Sequence, residues 1–455
     1  MLRSDPEIRF RHALAARVAQ AIYPLVHRLQ FSSPEVQFAT KPIADPVTIT
    51  IPTRHGDVRA LLYRPTDEDI AASLLTGRRP PVHLITHGGA FIVRVPEQED
   101  NVSRYVASEI GAYVVVPDFD TAPKVRHPIS EQQAYDVFVW VHENGERHGW
   151  DGERVSVGGA SSGSQVAFSV VTQAIDAGGY VPVALSSEFG TSDISRPDEQ
   201  RTSAKKRPIV PPPLTRLVRN TYFVGADLTD PLVSPAYYPR LAEFPPTLIT
   251  TAEFDTLRHE MNDLAAEMTA KGVPVTHKQF AGVDHGFTHA KPVEVARESL
   301  QTIGEHLRKA YAVPTVQERN VAVVRRFIDG AINGGDLAVI DDTWAEHLTW
   351  NGGSLGTYEG REAFKAFAEA NASGAFADMH LEIHDVIARD DKVVVRFTNS
   401  GTNVGAFMGN PATSKRADWM GIGIYTVRDD HIVEAWFGED VLGMLVQLDA
   451  IDLTA

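Results

Sequence analysis

Apolar positions run along this chain in two rhythms, and the change from one to the other divides it. Through the first 310 residues, short dense apolar runs alternate with stretches of helical period. β-Branched runs at Val47–Ile51 and Val58–Tyr63 predict edge antiparallel strands. Denser runs at Pro81–Thr86, Tyr113–Val116, Arg154–Gly158, Val181–Leu185, Thr247–Thr251 and Val273–Phe280 predict buried parallel strands. Between and after them, Glu131–Arg147, Ser164–Ile175, Arg258–Lys271 and Pro292 to about Tyr311 carry the 3.6 period of helices. Alternation of this kind predicts an α/β fold with a mostly parallel central sheet. Two segments depart from it. Residues 1–35 predict a helix with Phe10, Leu14, Val18, Ile22 and Leu25 on one face, either a cover for a site or a packing helix. Residues 192–220 break the rhythm with charges and Pro211-Pro212-Pro213, as a cap insertion near a substrate entrance would.

Ala312-Val313-Pro314-Thr315 reads as a hinge, and beyond it the rhythm changes. Helical patterns at Val316–Asn333, Leu337–Trp344 and Arg361–Ala370 come first. Long alternating strands follow at His380–Ala388, Lys392–Gly401, Asp418–Val427 and His431–Trp436, with Asp390-Asp391 and Asp429-Asp430 at hairpin positions. Helices followed by an antiparallel meander predict an α+β domain. The expected division is 1–312, with cap elements at 1–40 and about 192–220, and 313–455.

Composition narrows the function classes. A chain of 455 residues is long enough for two domains. The net charge of −16 is uneven: residues 313–455 hold 11 Lys/Arg against 22 Asp/Glu, a balance of −11, which leaves −5 for the rest. Such a chain is a poor nucleic-acid binder. With no cysteine, disulfides, thiolate metal sites and a thiol nucleophile are excluded. The start lacks the basic-then-apolar pattern of a signal peptide, and no run of ~20 uncharged apolar residues exists. The expectation is a cytoplasmic protein without a membrane partner.

The chemistry centres on Gly159-Ala160-Ser161-Ser162-Gly163, between a strand-like run and a helix-like one. A strand that breaks into Gly-x-Ser-x-Gly and then a helix holds the serine hydroxyl clear of the sheet, over the positive end of the helix. Acyl transfer through Ser161 needs a base, a group to orient the base, and donors for an oxyanion. In the α/β-hydrolase order these follow as acid and then histidine. Asp255, just past the strand Thr247–Thr251, is the candidate acid; it also suits a helix cap, and Glu253 is the fallback. His285 in Asp284-His285-Gly286-Phe287 is the candidate base. His289 follows it by four residues, but without a His-Glu-x-x-His pattern or a third ligand no metal is expected. Thr86-His87-Gly88-Gly89-Ala90 supplies the oxyanion loop, with Gly88, Gly89 and Ser162 as the expected N–H donors.

These motifs, His87-Gly88-Gly89-Ala90, the elbow at Ser161, Phe254-Asp255-x-Leu257-Arg258 and His285-Gly286-Phe287, resemble the hormone-sensitive-lipase branch of the α/β-hydrolases over about residues 40–310. The resemblance implies a carboxylesterase that cleaves small or medium acyl esters, or a related lactone, through an acyl-serine intermediate and without a cofactor. The chain departs from the branch at Ala160-Ser161-Ser162, Asp118-Phe119-Asp120-Thr121-Ala122-Pro123 and Asp255-Thr256-Leu257-Arg258-His259, which bears on substrate range.

Residues 316–450 are similar to SnoaL-like polyketide cyclases and the wider nuclear-transport-factor-like cone fold. The resemblance rests on the helix Val321–Ile328, Tyr358-Glu359-Gly360-Arg361-Glu362, the strand Asp391–Phe397, Ile432-Val433-Glu434-Ala435-Trp436 with Asp440, and Leu442-Gly443-Met444-Leu445. It implies an apolar pocket or a homodimerisation module. His347, Trp350, His384, Trp419, Trp436 and Asp440 are candidates to line the pocket, with Asp440 either an acid/base or a helix cap. The second functional reading is therefore a secondary-metabolite tailoring enzyme whose C-terminal domain performs cyclisation or dehydration.

Overall fold

The computed structural model describes residues 4–30, 34–312 and 316–451. The expected hinge at 313–315 lies outside the described residues. Two compact units are present, Met1–Val313 and Pro314–Ala455.

The first unit is built on eight strands: β1 (Val47–Ile51), β2 (Val58–Tyr63), β3 (Val82–Thr86), β4 (Tyr113–Pro117), β5 (Val155–Ala160), β6 (Leu185–Glu188), β7 (Thr247–Ala252) and β8 (Val275–Phe280). They lie in the order β1-β2-β4-β3-β5-β6-β7-β8. β2 runs antiparallel to both neighbours, and every pairing from β4 to β8 is parallel. This is the α/β-hydrolase fold. The central strands β3, β4, β5, β6 and β7 are buried at every residue, as parallel strands covered on both faces should be.

One strand differs from expectation. The apolar run Val181–Leu185 only leads into β6, which is Leu185-Ser186-Ser187-Glu188. Pro182 has no N–H for a ladder, and the strand proper uses small polar residues where it flanks the glycines of β5. A second difference concerns the N-terminal helix, Phe10–Gln30. Its large apolar side chains Phe10, Leu14, Val18, Ile22 and Leu25 are exposed, while Ala13 and Ala16 are buried. Small side chains allow close approach, and the Gln20 amide fixes the helix by donating to the Ile92 and Ala122 carbonyls at 2.8 and 3.0 Å. Residues 192–220 include the helix Pro212–Asn220. A buried ion pair between Arg201 and Glu260, 2.9 Å, ties this segment to the body.

The second unit is a six-stranded sheet with helices. Its strands are β9 (Trp344–Asn351), β10 (Thr357–Glu359), β11 (Phe376–Arg389), β12 (Lys392–Asn403), β13 (Arg416–Arg428) and β14 (His431–Glu439), in the order β10-β9-β14-β13-β12-β11. Two-residue turns at Asp390-Asp391 and Asp429-Asp430 join β11 to β12 and β13 to β14; Asp390, Asp429 and Asp430 take positive φ, which aspartate tolerates. β9 and β10 are additions to the expected meander: the helix ends at Thr343, and Trp344 opens β9, parallel to β14. The opening helix Val316–Phe327 buries Val324 and Phe327 against Trp344, Phe364 and Tyr425.

Candidate active site

β5 ends in an abrupt turn at Ser161, whose φ of 57° and ψ of −123° lie in a region that favours glycine. Glycines make the turn possible. A Cβ on Gly163 would run into the Thr86 and His87 carbonyls, and one on Gly159 into Gly163 itself. The Ser161 N–H donates to the Glu188 carbonyl at 2.9 Å, pinning the turn to β6. The helix Ser162–Ala177 begins directly behind it, so its first N–H groups have no intrahelical acceptor.

Three of the sequence-chosen residues come together here. Ser161 Oγ lies 2.8 Å from His285 Nε2, and His285 Nδ1 lies 2.8 Å from Asp255 Oδ2. Asp255 leaves the end of β7, and His285 sits in the loop after β8. The other oxygen of Asp255 accepts the Leu257 N–H at 3.0 Å; Asp255 is not the expected helix cap, because the helix Arg258–Ala270 is entered through Leu257. Glu253 is exposed and points elsewhere: it accepts the Gly282 N–H at 2.7 Å and so steadies the loop that carries His285. The edge of Phe189 covers the His285 ring, with centroids 4.9 Å apart.

The oxyanion loop needs one correction. The Gly88 N–H does not face the serine; it donates to Glu99 Oε1 at 3.2 Å. Gly89, at φ 128°, reverses the chain, and the positive φ of Ala90 and Phe91 continues the turn. Among the described residues the N–H groups of Gly89 and Ala90 have no acceptor, and both residues line the cavity beside Ser161 and Ser162.

Glu99 is a site residue that the sequence reading missed. It is buried beneath the loop and also accepts from Gln98 Nε2 at 3.0 Å, while His289 Nε2 lies 3.4 Å from its other oxygen. His289 Nε2 therefore faces Glu99. Burial pushes the Glu99 carboxyl up, but the neighbouring His289, with the Gly88 N–H, outweighs it and holds it below its ordinary value. A second buried acid, Glu188, has no such partner. Burial, and then the nearby Glu99 charge, raise its carboxyl from 4.5 to about 8. Glu99 was visible in principle: it falls on the same helical stripe as Val95, Val102 and Val106, where a charge requires an explanation.

Above the serine is a cavity of about 510 Å³. Its floor is Ser161, His285 and the oxyanion loop. Its walls are largely apolar, with Ala19 and Tyr23 from the N-terminal helix and Ile194, Leu214 and Val218 from the 192–220 segment.

In the second unit the structure moves the candidates. Along β14 alternate side chains face opposite ways, so Ala435 is buried, Phe437 and Glu439 line an inner cavity, and Trp436 is turned out at 55% exposure. Asp440 is exposed and caps the helix Val441–Gln447, accepting the Gly443 N–H at 2.8 Å. Neither Trp436 nor Asp440 lines the cavity; Trp350 and Trp419 do, and His347 and His384 are exposed.

Comparison with known proteins agrees with this architecture. Residues 83–289 match the family described as alpha/beta hydrolase fold, and residues 322–448 match the SnoaL-like polyketide cyclase family. Carboxylic ester hydrolase LipN of Mycobacterium tuberculosis is 26% identical over 250 residues, which are 53% of this chain and 64% of that protein. Ethyl acetate hydrolase of Pseudomonas putida is 28% identical over 266 residues, 57% of this chain and 81% of that one. The solved structure of the Pyrobaculum calidifontis esterase superposes with a TM-score of 0.59 at 29% identity, covering 67% of this chain and 96% of that one. The first unit thus has the α/β-hydrolase fold and is similar to carboxylic ester hydrolases. The chain as a whole joins this hydrolase to a SnoaL-like domain. Among the described residues no helix is long and apolar enough to cross a membrane.

Proposed function

We propose that the chain hydrolyses small carboxylic esters through an acyl-serine intermediate, with Ser161, His285 and Asp255 as the triad. His285 Nε2 takes the Ser161 proton as Oγ attacks the ester carbonyl, and Asp255 stabilises the imidazolium and fixes its tautomer. The oxyanion is held by the N–H groups of Gly89, Ala90 and Ser162, and Gly88 serves the loop by its bond to Glu99. Collapse of the tetrahedral adduct transfers the proton from His285 to the leaving alcohol. Water, deprotonated by the same histidine, then releases the acid and restores the serine. The observation that carries this reading is the pair of 2.8 Å contacts joining serine, histidine and aspartate at the floor of the cavity. The mainly apolar walls and the named activities of the relatives support short-chain esters as substrates.

The test is labelling by a fluorophosphonate together with turnover of p-nitrophenyl esters from acetate to octanoate. The label should map to Ser161, and Ser161→Ala should lower turnover by about 10⁴-fold or more with the unfolding temperature retained. A label on another residue, or activity within a hundredfold of the parent, overturns the assignment.

A further inference from the structure

The cavity of the second unit has a volume of about 170 Å³. Eight aromatic rings line it, among them Trp350, Phe367, Phe376, Trp419 and Phe437. Against this wall only two lining side chains are amide or carboxylate, Asn399 and Glu439. They are placed together by register: Asn399 on β12 pairs with Trp419 on β13, and Gly421 on β13 pairs with Glu439 on β14. Glu439 Oε2 accepts the Trp419 indole N–H at 2.7 Å and the Asn399 amide N–H at 3.4 Å. That arrangement turns the amide oxygen of Asn399 away from the carboxylate. Asn399 is 6% exposed, and its Oδ1 is buried without a hydrogen-bond partner. An orphaned buried acceptor in an otherwise apolar chamber calls for a donor.

We propose that this cavity is a binding site for a one-ring aromatic molecule carrying a hydroxyl donor, a phenol in class, whose O–H donates to Asn399 Oδ1 while the ring packs among the aromatic side chains. Size points the same way. A cavity of about 150 Å³ holds one benzene ring, so the chamber has room for a single ring. A neutral donor suits it better than an ammonium, because burial pushes the Glu439 carboxyl up and disfavours its charge, despite the Trp419 and Asn399 hydrogen bonds. The proposal does not rest on ester hydrolysis in the first unit.

The experiment is calorimetric titration of the full chain with phenol and with anisole, which has the same ring and oxygen but no donor. Phenol should bind saturably below about 10 mM, with anisole about tenfold weaker, as loss of one buried donor implies. Asn399→Leu should bring phenol to the level of anisole. Ala368→Phe, which fills the chamber from its wall, should abolish binding with the melting profile kept, and it decides the matter if Asn399→Leu does not fold. Equal affinity for phenol and anisole overturns the proposal, as does absence of saturable phenol binding. Binding that survives Ala368→Phe places the ligand elsewhere and overturns it equally.

Discussion

Replacing Glu188 by Gln removes a buried carboxyl group close to Ser161 while keeping the side chain's shape. In the folded chain this group titrates at about 8, against 4.5 for the ordinary carboxyl. Below 4.5 it is protonated whether the chain is folded or not, and contributes nothing to the pH dependence. As pH rises from 4.5 to 8, the unfolded chain releases the proton and the folded chain keeps it. Stability therefore falls as pH rises through that window, by up to ~1.4 kcal/mol per pH unit. The accumulated cost is about 3 kcal/mol at pH 7 and about 5 kcal/mol above pH 8. Glu188→Gln should recover most of it: near-parent stability at pH 4, a gain of about 3 kcal/mol at pH 7, and a flatter profile to pH 9. Because the chain has two units, the readout must belong to the first. Urea unfolding followed by hydrogen-exchange mass spectrometry on peptides from 155–177 meets that need. Parallel pH profiles for parent and variant, or a variant less stable at pH 9, would refute the reasoning.

Two further outcomes are expected. Asp255→Asn should lower kcat on p-nitrophenyl acetate by about 10⁴-fold, because an amide favours the wrong histidine tautomer; Glu253→Gln, which keeps an acceptor for the Gly282 N–H, should stay close to the parent. A larger loss from Glu253→Gln would exchange the two assignments. Asp440→Ala should cost the second unit about 1 kcal/mol through loss of a helix cap, with ester turnover unchanged; a fall in turnover would give Asp440 a role beyond capping.

The meeting of Ser161, His285 and Asp255 was legible in their motifs and order, because each follows the end of a predicted strand and the parallel sheet brings those ends together. The direction of the Gly88 N–H was not. It depends on the turn at Gly89 and on Glu99, eleven positions further on, which the helix Asp100–Tyr105 and the turn before it deliver beneath the loop. Periodicity misled at the N-terminal helix for a different reason. Both of its faces are apolar, one large and one small, and the close approach to Ile92 and Ala122 selects the alanine face. At β14 the period-two rule was available but needs a phase. Trp436 is the largest residue in its run and drew the inward assignment, yet buried Ala435 sets the phase and turns the tryptophan out.

The backbone of Ser161 places the demands of folding and of chemistry in opposition at a single residue. Its dihedral angles cost on the order of 1–3 kcal/mol for any residue with a Cβ, a penalty that glycine would escape and a nucleophile cannot. On the proposed mechanism, relaxing this one position would make the hydrolase easier to keep folded and leave it inert. Selection for stability alone would erode the enzyme from its centre outward, and only selection for turnover can hold a side chain there.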